Sequence, residues 1–595
     1  MVLGPSSHRP FIFFFEAEGE GKSQRKGIEQ PDSAVENSAM IPRRMEKQKM
    51  PNNPLLKQIF ALAIVCICLG PGLLSAEVGF QDEVLSRIQA KGDAAEFQLG
   101  ENTLHAARFI TELYQSSGHK PVWGDRSIAT LRREIQALEG DGLNPEDYWF
   151  LSLDTLIKGQ QRGSLSVSSA VDLDMLLSEA FLRAYYNLLV GKVDPERLDD
   201  DFNMSVSLHR DDLVPGIIAQ VRNGRIAEAF NNARPARKGH FWLKEALARY
   251  QEYEAAGGWP EVEGGKVLKP GDNDVRVAQV RARLAVTGDI KSPTGDLMFF
   301  DSALEGAVKA FQERHGLDID GAVGAKTIAA MNVPVKERID QLRVNLERQR
   351  WYVHENHGEF VVADIAGFNV YLVRDDVIIW NARVQVGKAY RQTPVFKDTI
   401  RYLEFNPTWT IPPGILRRSV LPKLKKDSDY LEKEGYLLLT QEGKRVDPKT
   451  VDWASIKTMP YIVRQPPGPD NALGLVKFMF PNKHMVYLHD TNHREQFSAS
   501  NRTFSSGCVR VERPFELAEK LLAGQEDWDR QKIDNVVASG KTMRVNLEKP
   551  MRVVIAYSTA VARNGRVYFR PDVYNRDAKV LKALDAPFRK RRRDQ

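Results

Sequence analysis

The chain has 595 residues, of which 42% are hydrophobic, so it is too long for one hydrophobic core and should form about three or four domains. Its formal net charge of +6 is small for this length and does not indicate a nucleic-acid-binding protein. The densest positive cluster, Arg589–Arg593, is interpreted as a solvated tail rather than as a site for an anionic polymer.

The N-terminal part has the pattern of an export signal. A short hydrophobic run, Ile59–Leu69, follows Lys57 and precedes the small-residue site Leu74–Ala76. This order is typical of a secretory signal, and the run is short for a bilayer span. We therefore predict a cleavable signal peptide over residues 40–76 and interpret residues 1–39 as an over-extended translation start. Membrane contact is expected only through this segment, before cleavage.

The three cysteines divide between this signal and the rest of the chain. Cys66 and Cys68 lie in the hydrophobic run, so cleavage after Ala76 would leave Cys508 as the only cysteine. A single thiol cannot form an internal disulfide, and a free thiol in an oxidising compartment is a liability unless it is used. We therefore interpret Cys508 as functional rather than as an inert buried cysteine.

Residues 77–265 predict a helical domain. Apolar residues recur at helical spacing over Val171–Leu189, and residues 142–148 and 191–195 read as loops. No catalytic group stands out in this part, so we interpret it as a supporting domain. The glycine-rich interval 257–265 is typical of a linker.

Residues 266–335 predict a self-contained module of three short helices, and residues 336–352 predict a connecting helix. Each predicted helix of the module carries an apolar stripe, which indicates a common core. The stripes are Val277, Val280 and Leu284 in the first helix, Leu304, Ala307, Val308 and Phe311 in the second, and Ile328 and Met331 in the third.

Beyond residue 352 the hydrophobic period changes from that of helices to that of strands. Short runs rich in β-branched residues predict a compact, mostly β domain over residues 353–548. A charged insertion, residues 412–463, interrupts it and is predicted to be helical at residues 417–431. From the pattern alone, a decorative loop without a function of its own is an equally good interpretation of this insertion. Residues 549–595 form a C-terminal segment with the basic tail.

The most informative stretch lies in this β domain. His489 ends a predicted strand, and Gly507 stands directly before Cys508 after an intervening loop. A thiol is mostly protonated near neutral pH, so a nucleophilic cysteine needs a base that takes its proton, and His489 is the candidate. Gly507 permits a sharp turn that brings the N–H groups of Gly507 and Cys508 towards a developing oxyanion.

The blocks around these residues resemble the L,D-transpeptidases of bacterial cell-wall synthesis, specifically the large periplasmic YcbB-type members with a YkuD-type catalytic domain. Many relatives carry a second histidine where Ser506 stands; the serine fits the YcbB type and argues against an indispensable role for Ser506. The resemblance rests on His489, on Ser505–Arg510, and on Arg464–Pro469, Asn471–Gly474 and Lys477–Asn482, all in the order of this subfamily.

The helical module is similar to the peptidoglycan-binding domain 1 family, which implies a groove for glycan strands or stem peptides. The whole resemblance implies an α+β multidomain protein: a helical scaffold domain, a three-helix peptidoglycan-binding module, and a mixed, mostly β L,D-transpeptidase catalytic domain with a helical capping insertion. The motifs that carry the module's likeness are Arg283-Leu284, Ala310–Gln312, Gly316-Leu317, Asp320-Gly321, Gly324 and Thr327.

The resemblance also implies the chemistry. Cys508 would be the nucleophile, His489 the general base and then acid, and the Gly507 backbone part of the oxyanion hole. The enzyme would form a thioester with a peptidoglycan stem peptide, release D-alanine, and transfer the acyl group to a second stem peptide, which crosslinks two diamino acids. We expect a periplasmic, cell-wall-associated protein of cell-wall biogenesis and cell shape, with no metal and no organic cofactor, whose partners are stem peptides, glycan strands and other proteins of wall synthesis.

Several points stay open at this stage. Arg510 is a candidate for binding a donor carboxylate, and a structural ion pair is an equal alternative; Tyr487, Ser505 and Ser506 are candidates for the substrate pocket. The acceptor is a stem peptide, a lipoprotein lysine, a free D-amino acid or water. The alternative functions are a thiol L,D-carboxypeptidase or endopeptidase, which needs the same Cys508, and a non-catalytic peptidoglycan-binding protein, which does not.

Overall fold

The computed structural model describes residues 71–204, 210–291, 296–352 and 358–589. Residues 1–39, which we interpret as an over-extended translation start, lie outside the described residues. The hydrophobic run of the predicted signal peptide and the basic tail beyond Arg589 lie outside them as well. Among the described helices, none has both the length and the apolar character that crossing a bilayer requires.

The N-terminal part is helical, as predicted, with one hairpin of short strands, β1 (Phe97–Leu99) and β2 (Asn102–Leu104). The Ser166 side chain accepts a hydrogen bond from the Ser169 N–H and so caps the central helix, whose predicted apolar stripe is buried. The helices are α1 (Pro71–Lys91), α2 (Ala107–Ser116), α3 (Asp125–Ala137), α4 (Phe150–Gln161), α5 (Val167–Val190), α6 (Pro195–Leu198), α7 (Arg210–Arg222), α8 (Ile226–Ala233) and α9 (Lys238–Ala255).

The module contains the three predicted helices, α10 (Val275–Val286), α11 (Ser302–Arg314) and α12 (Ala325–Met331). The stripes predicted from the sequence are all buried in a hydrophobic core of the module's own. The predicted linker is not a free connection, because Val262 packs into this core and its backbone pairs with the Asn332 side chain.

A long helix, α13 (Val335–Tyr352), connects the module to the β domain. Its residue Leu342 packs with Leu247 of α9 and with Phe569 near the C-terminus. The connecting helix therefore lies in a core shared by the scaffold and the C-terminal segment.

The β domain is built on a nine-stranded sheet that closes on itself. The long strand over residues 377–387 closes the sheet, because it pairs at its start with residues 369–374 and at its end with residues 509–511 and 503–505. The strands are β3 (Glu359–Asp364), β4 (Asn369–Arg374), β5 (Val377–Gly387), β6 (Phe396–Phe405), β11 (Val476–Met479), β12 (Leu488–His489), β13 (Thr503–Ser505), β14 (Val509–Val511) and β15 (Met543–Ala556), and the helices after β14 are α17 (Pro514–Leu522) and α18 (Arg530–Ala538).

The sheet extends past residue 548, where the sequence placed the end of the β domain. Residues 552–556 pair with β3 on one side and, over residues 551–555, with β6 on the other, so they lie inside the sheet. In the sequence, Pro550 and the charges before it interrupt the strand pattern at this point. The structure accommodates the proline at a register shift between Asn546 and Met551, where ladder hydrogen bonds are not required.

The insertion has a core of its own, which includes Leu431, Trp453 and Val463. It contains short helices, as predicted, and forms with the strand just before it, residues 409–410, a four-stranded sheet that the sequence analysis did not predict. The elements of this region are β7 (Trp409–Thr410), α14 (Pro413–Ile415), a π-helical turn (Leu416–Val420), α15 (Leu421–Leu424), α16 (Tyr430–Lys433), β8 (Leu437–Leu439), β9 (Arg445–Val446) and β10 (Ile462–Gln465), and the order of strands in the sheet is β7-β10-β8-β9.

The chain ends in a hairpin, β16 (Ala560–Arg563) and β17 (Arg566–Phe569), and a helix, α19 (Asp577–Asp585). The hairpin packs on α9 and α13, and the Lys192 ammonium of the scaffold donates to the Leu584 carbonyl. The C-terminal segment therefore joins the β domain to the helical scaffold.

Candidate active site

Four of the residues singled out in the sequence lie on one face of the sheet. Strands β12 and β14 run parallel, with His489 opposite Arg510, and the Val509 N–H donates to the Tyr487 carbonyl. Paired residues point to the same face, and residues two apart along a strand do so as well. Tyr487, His489, Cys508 and Arg510 therefore share a face, while the residues between them are buried in the core.

The same face carries a line of polar side chains across five strands, which we call the polar row: Gln385, Arg510, His489, Lys477 and Glu404. Each is the register partner of the next. The Arg510 guanidinium donates to the Gln385 side chain at 3.1 Å, and the Lys477 ammonium donates to the Glu404 carboxylate at 3.2 Å. His489 therefore lies between two cationic side chains that are themselves held at their outer sides.

The sequence analysis missed Gln385 and Glu404 and noted Lys477 only as part of a family block. A signal was present, because Lys477 lies between the apolar Val476 and Phe478, an alternation that indicates a strand with one polar face. That alternation does not say which residues of different strands meet.

His489 is buried, and its ring is fixed by the backbone. Its Nδ1 donates to the carbonyl oxygen of Asp490 at 2.5 Å, which leaves the lone pair on Nε2. The Asp490 carboxylate does not contact the ring; it accepts from the Leu475 N–H and pairs with Arg494 at 3.0 Å. The carbonyl of Asp490 thus orients the imidazole, and its carboxylate holds the adjoining turn.

Burial lowers the pKa of His489 to about 3, with a further lowering by Arg510 and Lys477, while the backbone carbonyls of Asp490 and Leu473 act in the opposite direction. The imidazole is therefore neutral at physiological pH. A proton that arrives on Nε2 meets two nearby cations, so the imidazolium is a high-energy species at this position.

Cys508 is a free thiol that donates to the Met485 carbonyl, with Sγ 3.7 Å from the oxygen. Burial raises the pKa of the Cys508 thiol; the backbone N–H and hydroxyl of Tyr487 oppose this most strongly, followed by Arg510 and Lys477. The Tyr487 ring packs edge-on against the His489 ring at 5.6 Å. At rest the site therefore holds a protonated thiol and a neutral imidazole, not a preformed thiolate and imidazolium.

The turn before the thiol is closed by Ser505. Its hydroxyl oxygen accepts from the Gly507 N–H at 3.1 Å, and its proton is donated to the Cys508 carbonyl at 2.6 Å. Gly507 has φ +124, a conformation that favours glycine. The Gly507 N–H, which the sequence analysis expects at an oxyanion, is therefore occupied by the Ser505 hydroxyl in this structure. The Cys508 N–H has no acceptor within the described parts of the chain, so it is the available donor.

The remaining substrate-binding candidates differ in their surroundings. Ser505 is buried and both hydrogen bonds of its hydroxyl lie inside the turn, whereas Ser506 is exposed and accepts from the Arg391 guanidinium at 2.9 Å. A second nitrogen of Arg391 lies 3.5 Å from the Ser419 hydroxyl of the insertion. Arg510 has a shielded Nε with no hydrogen-bond partner among the residues described, so part of its guanidinium fork is unused.

The comparisons with protein families match three parts of the chain. Residues 358–540 match an L,D-transpeptidase catalytic domain named YkuD, residues 108–247 match a scaffold domain, and residues 273–331 match a "Putative peptidoglycan binding domain". These matches identify a YkuD-type L,D-transpeptidase catalytic domain and a peptidoglycan-binding domain, as the sequence motifs predict.

Two curated proteins are similar over part of their length. A "Putative L,D-transpeptidase" from Haemophilus influenzae is 37% identical over 241 residues, which cover 40% of this chain and 48% of that protein. An N-acetylmuramoyl-L-alanine amidase from Mycobacterium tuberculosis is 36% identical over 80 residues, which cover 12% of this chain and 20% of that protein. The chain thus spans about half or less of the length of these relatives.

Two solved structures of L,D-transpeptidases were also found. The one from Xylanimonas cellulosilytica is 14% identical, covers 50% of this chain and 100% of its own, and has a TM-score of 0.16. The one from Stackebrandtia nassauensis is 14% identical, covers 52% of this chain and 99% of its own, and has a TM-score of 0.20.

Proposed function

We propose that this protein is a peptidoglycan L,D-transpeptidase that crosslinks the diamino acids of stem peptides through a thioester on Cys508. The observation that carries the proposal is the placement of Cys508 and His489 on one face of two adjacent strands, inside the domain that matches the L,D-transpeptidases. A thiol and an imidazole on rigid neighbouring strands supply a nucleophile and its base.

The first half-reaction is acylation. Nε2 of His489 takes the thiol proton as Sγ attacks the carbonyl carbon that follows the L-centre of the diamino acid. The Cys508 N–H stabilises the oxyanion of the tetrahedral intermediate. The intermediate collapses with cleavage of the C–N bond, the imidazolium gives its proton to the departing nitrogen, and D-alanine leaves behind a thioester.

The second half-reaction repeats these steps with an amine as the nucleophile. His489 takes a proton from the amine of a second stem peptide, the nitrogen attacks the thioester carbon, and the C–S bond breaks. The proton then returns to sulfur, which regenerates the thiol. The two cations of the polar row disfavour the imidazolium, which promotes transfer of its proton to the departing nitrogen in the first half-reaction, and they stabilise the thiolate that leaves in the second.

Arg510 is suited to hold a carboxylate of the donor stem peptide. Its guanidinium is half-buried and bonds to the neutral Gln385, and it forms no ion pair with a carboxylate in the described residues. A guanidinium that is not paired with a carboxylate of the protein binds a substrate carboxylate strongly when water is excluded. This arrangement favours substrate binding over the structural ion pair that the sequence left open.

The domain arrangement follows from this function. We assign residues 77–265 to a helical scaffold, residues 266–335 to the module that holds glycan strands or stem peptides, and residues 412–463 to a cap over the active site. Because peptidoglycan lies outside the cytoplasm, we assign the protein to the periplasm, associated with the cell wall.

Mass spectrometry of purified disaccharide-tetrapeptides incubated with the chain from residue 77 onwards tests the proposal, with Cys508→Ala as the control. We expect a dimer formed with loss of D-alanine, absent in the variant, which should fold normally because the lost thiol is small. Tripeptide without dimer would assign a carboxypeptidase instead. Equal turnover in the variant would refute Cys508 as the nucleophile, and no product from either protein would leave a peptidoglycan-binding protein.

A further inference from the structure

The three residues before Cys508 are all held by one loop, residues 387–393, which we call the bracing loop. The Lys388 N–H donates to the Ser505 carbonyl at 3.0 Å, and the Arg391 guanidinium donates to the Ser506 hydroxyl. The Thr393 hydroxyl donates to the Gly507 carbonyl at 2.8 Å. The position of the turn that carries the thiol therefore depends on the position of this loop.

The bracing loop is tightly folded. The Thr393 hydroxyl oxygen also accepts from the Gly387 N–H at 2.9 Å, so one buried side chain joins the two ends of the loop and the Gly507 carbonyl. A Cβ on Gly387 would overlap the Arg391 carbonyl oxygen, so the close approach of the chain requires glycine there. This fold fixes the direction in which the Thr393 hydroxyl points.

A tyrosine from the C-terminal segment clamps the same two ends. The Tyr574 side chain is buried; its hydroxyl donates to the Gly387 carbonyl at 2.6 Å and accepts from the Thr393 N–H at 3.2 Å. Burial raises the pKa of Tyr574, so the hydroxyl keeps the proton that it donates. One oxygen atom thus bridges the start and the end of the bracing loop.

Tyr574 is itself held rigidly. Its N–H donates to the Tyr557 hydroxyl at 2.9 Å, the Tyr557 hydroxyl donates to the Asp572 carboxylate, and the two tyrosine rings stack at 5.7 Å. Asp577, three residues further on, pairs with Arg348 of the connecting helix at 2.6 Å. The clamp is therefore anchored to the helix that leads from the scaffold.

We propose that Tyr574 is a positioning residue of the transpeptidase: its hydroxyl sets the bracing loop, which through Thr393 sets Gly507 and the thiol of Cys508. This inference rests on the proposed function for its effect on turnover. It assigns to the C-terminal segment a role in catalysis although no atom of Tyr574 contacts the reacting groups of the site.

The test compares Tyr574→Phe, which removes only the hydroxyl, with Tyr568→Phe, whose hydroxyl lies in the same segment and has no hydrogen-bond partner in the described residues. For Tyr574→Phe we expect kcat to fall by about 10-fold or more with KM within about 2-fold, because a small misplacement of a reacting group is costly. Amide hydrogen exchange in residues 503–511 should become faster. Tyr568→Phe should match the wild-type protein in each measurement.

Thr393 provides a second pair that does not depend on the first. Thr393→Val removes the hydroxyl and should reproduce the loss of kcat and the faster exchange, whereas Thr393→Ser keeps the hydroxyl and should retain most of the wild-type values. This pair decides the question if Tyr574→Phe is too unstable to purify. Equal behaviour of the valine and serine variants would overturn the proposal.

The readouts separate this inference from the function on which it rests. If the wild-type protein forms neither dimer nor tripeptide, the proposed function fails, while hydrogen exchange and the rate of Cys508 alkylation by iodoacetamide still report the position of the turn. Wild-type exchange and alkylation in Tyr574→Phe would overturn the positioning role, whatever the reaction.

Discussion

Ser505 and Ser506 are adjacent serines, and the structure predicts a much larger effect of substitution at Ser505 than at Ser506. Ser505→Ala removes a buried hydroxyl and leaves the Gly507 N–H and the Cys508 carbonyl without their partner. A buried polar group left unpaired costs about 1–3 kcal/mol, so the two groups together cost about 2–6 kcal/mol before the turn relaxes. We expect the turn to rearrange in response, with a loss of about 2–4 kcal/mol of stability and a fall of at least about 10-fold in kcat.

Ser506→Ala is the matched control, because it removes one exposed hydrogen bond to Arg391. Surface changes of this kind usually alter stability by about 0.5 kcal/mol or less. The two variants are compared by urea denaturation and by formation of crosslinked dimers. Equal stability of the two variants would contradict the reasoning. A higher kcat in Ser505→Ala would indicate that the freed Gly507 N–H can serve the oxyanion, against our interpretation of the turn.

Three further predictions follow from the site. The folded chain keeps His489 neutral down to a pKa of about 3, whereas the unfolded chain protonates this imidazole near its ordinary pKa of about 6.5. Unfolding therefore takes up a proton below pH 6.5, and the stability of the fold should decrease as the pH drops from 6.5 towards 3. Between pH 7.5 and pH 5 the urea midpoint of the wild-type protein should fall more than that of His489→Gln, and an equal fall would contradict this. Gly474→Ala, whose Cβ would overlap the Asp490 side chain, should destabilise the protein and lower turnover more than Gly443→Ala, which also has a positive φ but has open space around it; equal effects would show that backbone strain alone is responsible. Arg510→Met should raise the pKa of the thiol further and shift the pH profile of iodoacetamide alkylation to higher pH, and a shift to lower pH would show that the guanidinium does not act on the thiol as described.

Prediction from the sequence succeeded where the local spacing of apolar residues determines the secondary structure. The stripes of Val277, Leu304 and Phe311 identified helices that share a core, and the strand alternation after residue 352 identified the β domain. His489 and Cys508 were identified because a nucleophilic thiol needs a base and because the family motif contains a histidine at this position. These inferences use residues that are close in the chain or that belong to one recognisable pattern.

The rest depends on which distant segments meet. Nothing in the sequence places Glu404, Lys477 and Gln385 in one row, because the register between strands is set by the folded sheet. The Gly507 N–H donates to the Ser505 hydroxyl because of the rotamer of that serine, and a sequence motif does not encode rotamers. Tyr574 was overlooked because it lies far along the chain from the loop that it holds.

The position of β15 has a consequence for the order in which the active site can form during synthesis. This strand lies between β3 and β6 in the sheet, yet it is made after every other strand of that sheet, and Tyr574 follows it. Pairing of segments so far apart is a slow step in folding. A growing chain therefore carries a thiol whose supporting turn is incomplete until nearly all of the protein has been made, and a chain shortened at its C-terminus would keep the catalytic motif without a properly held nucleophile.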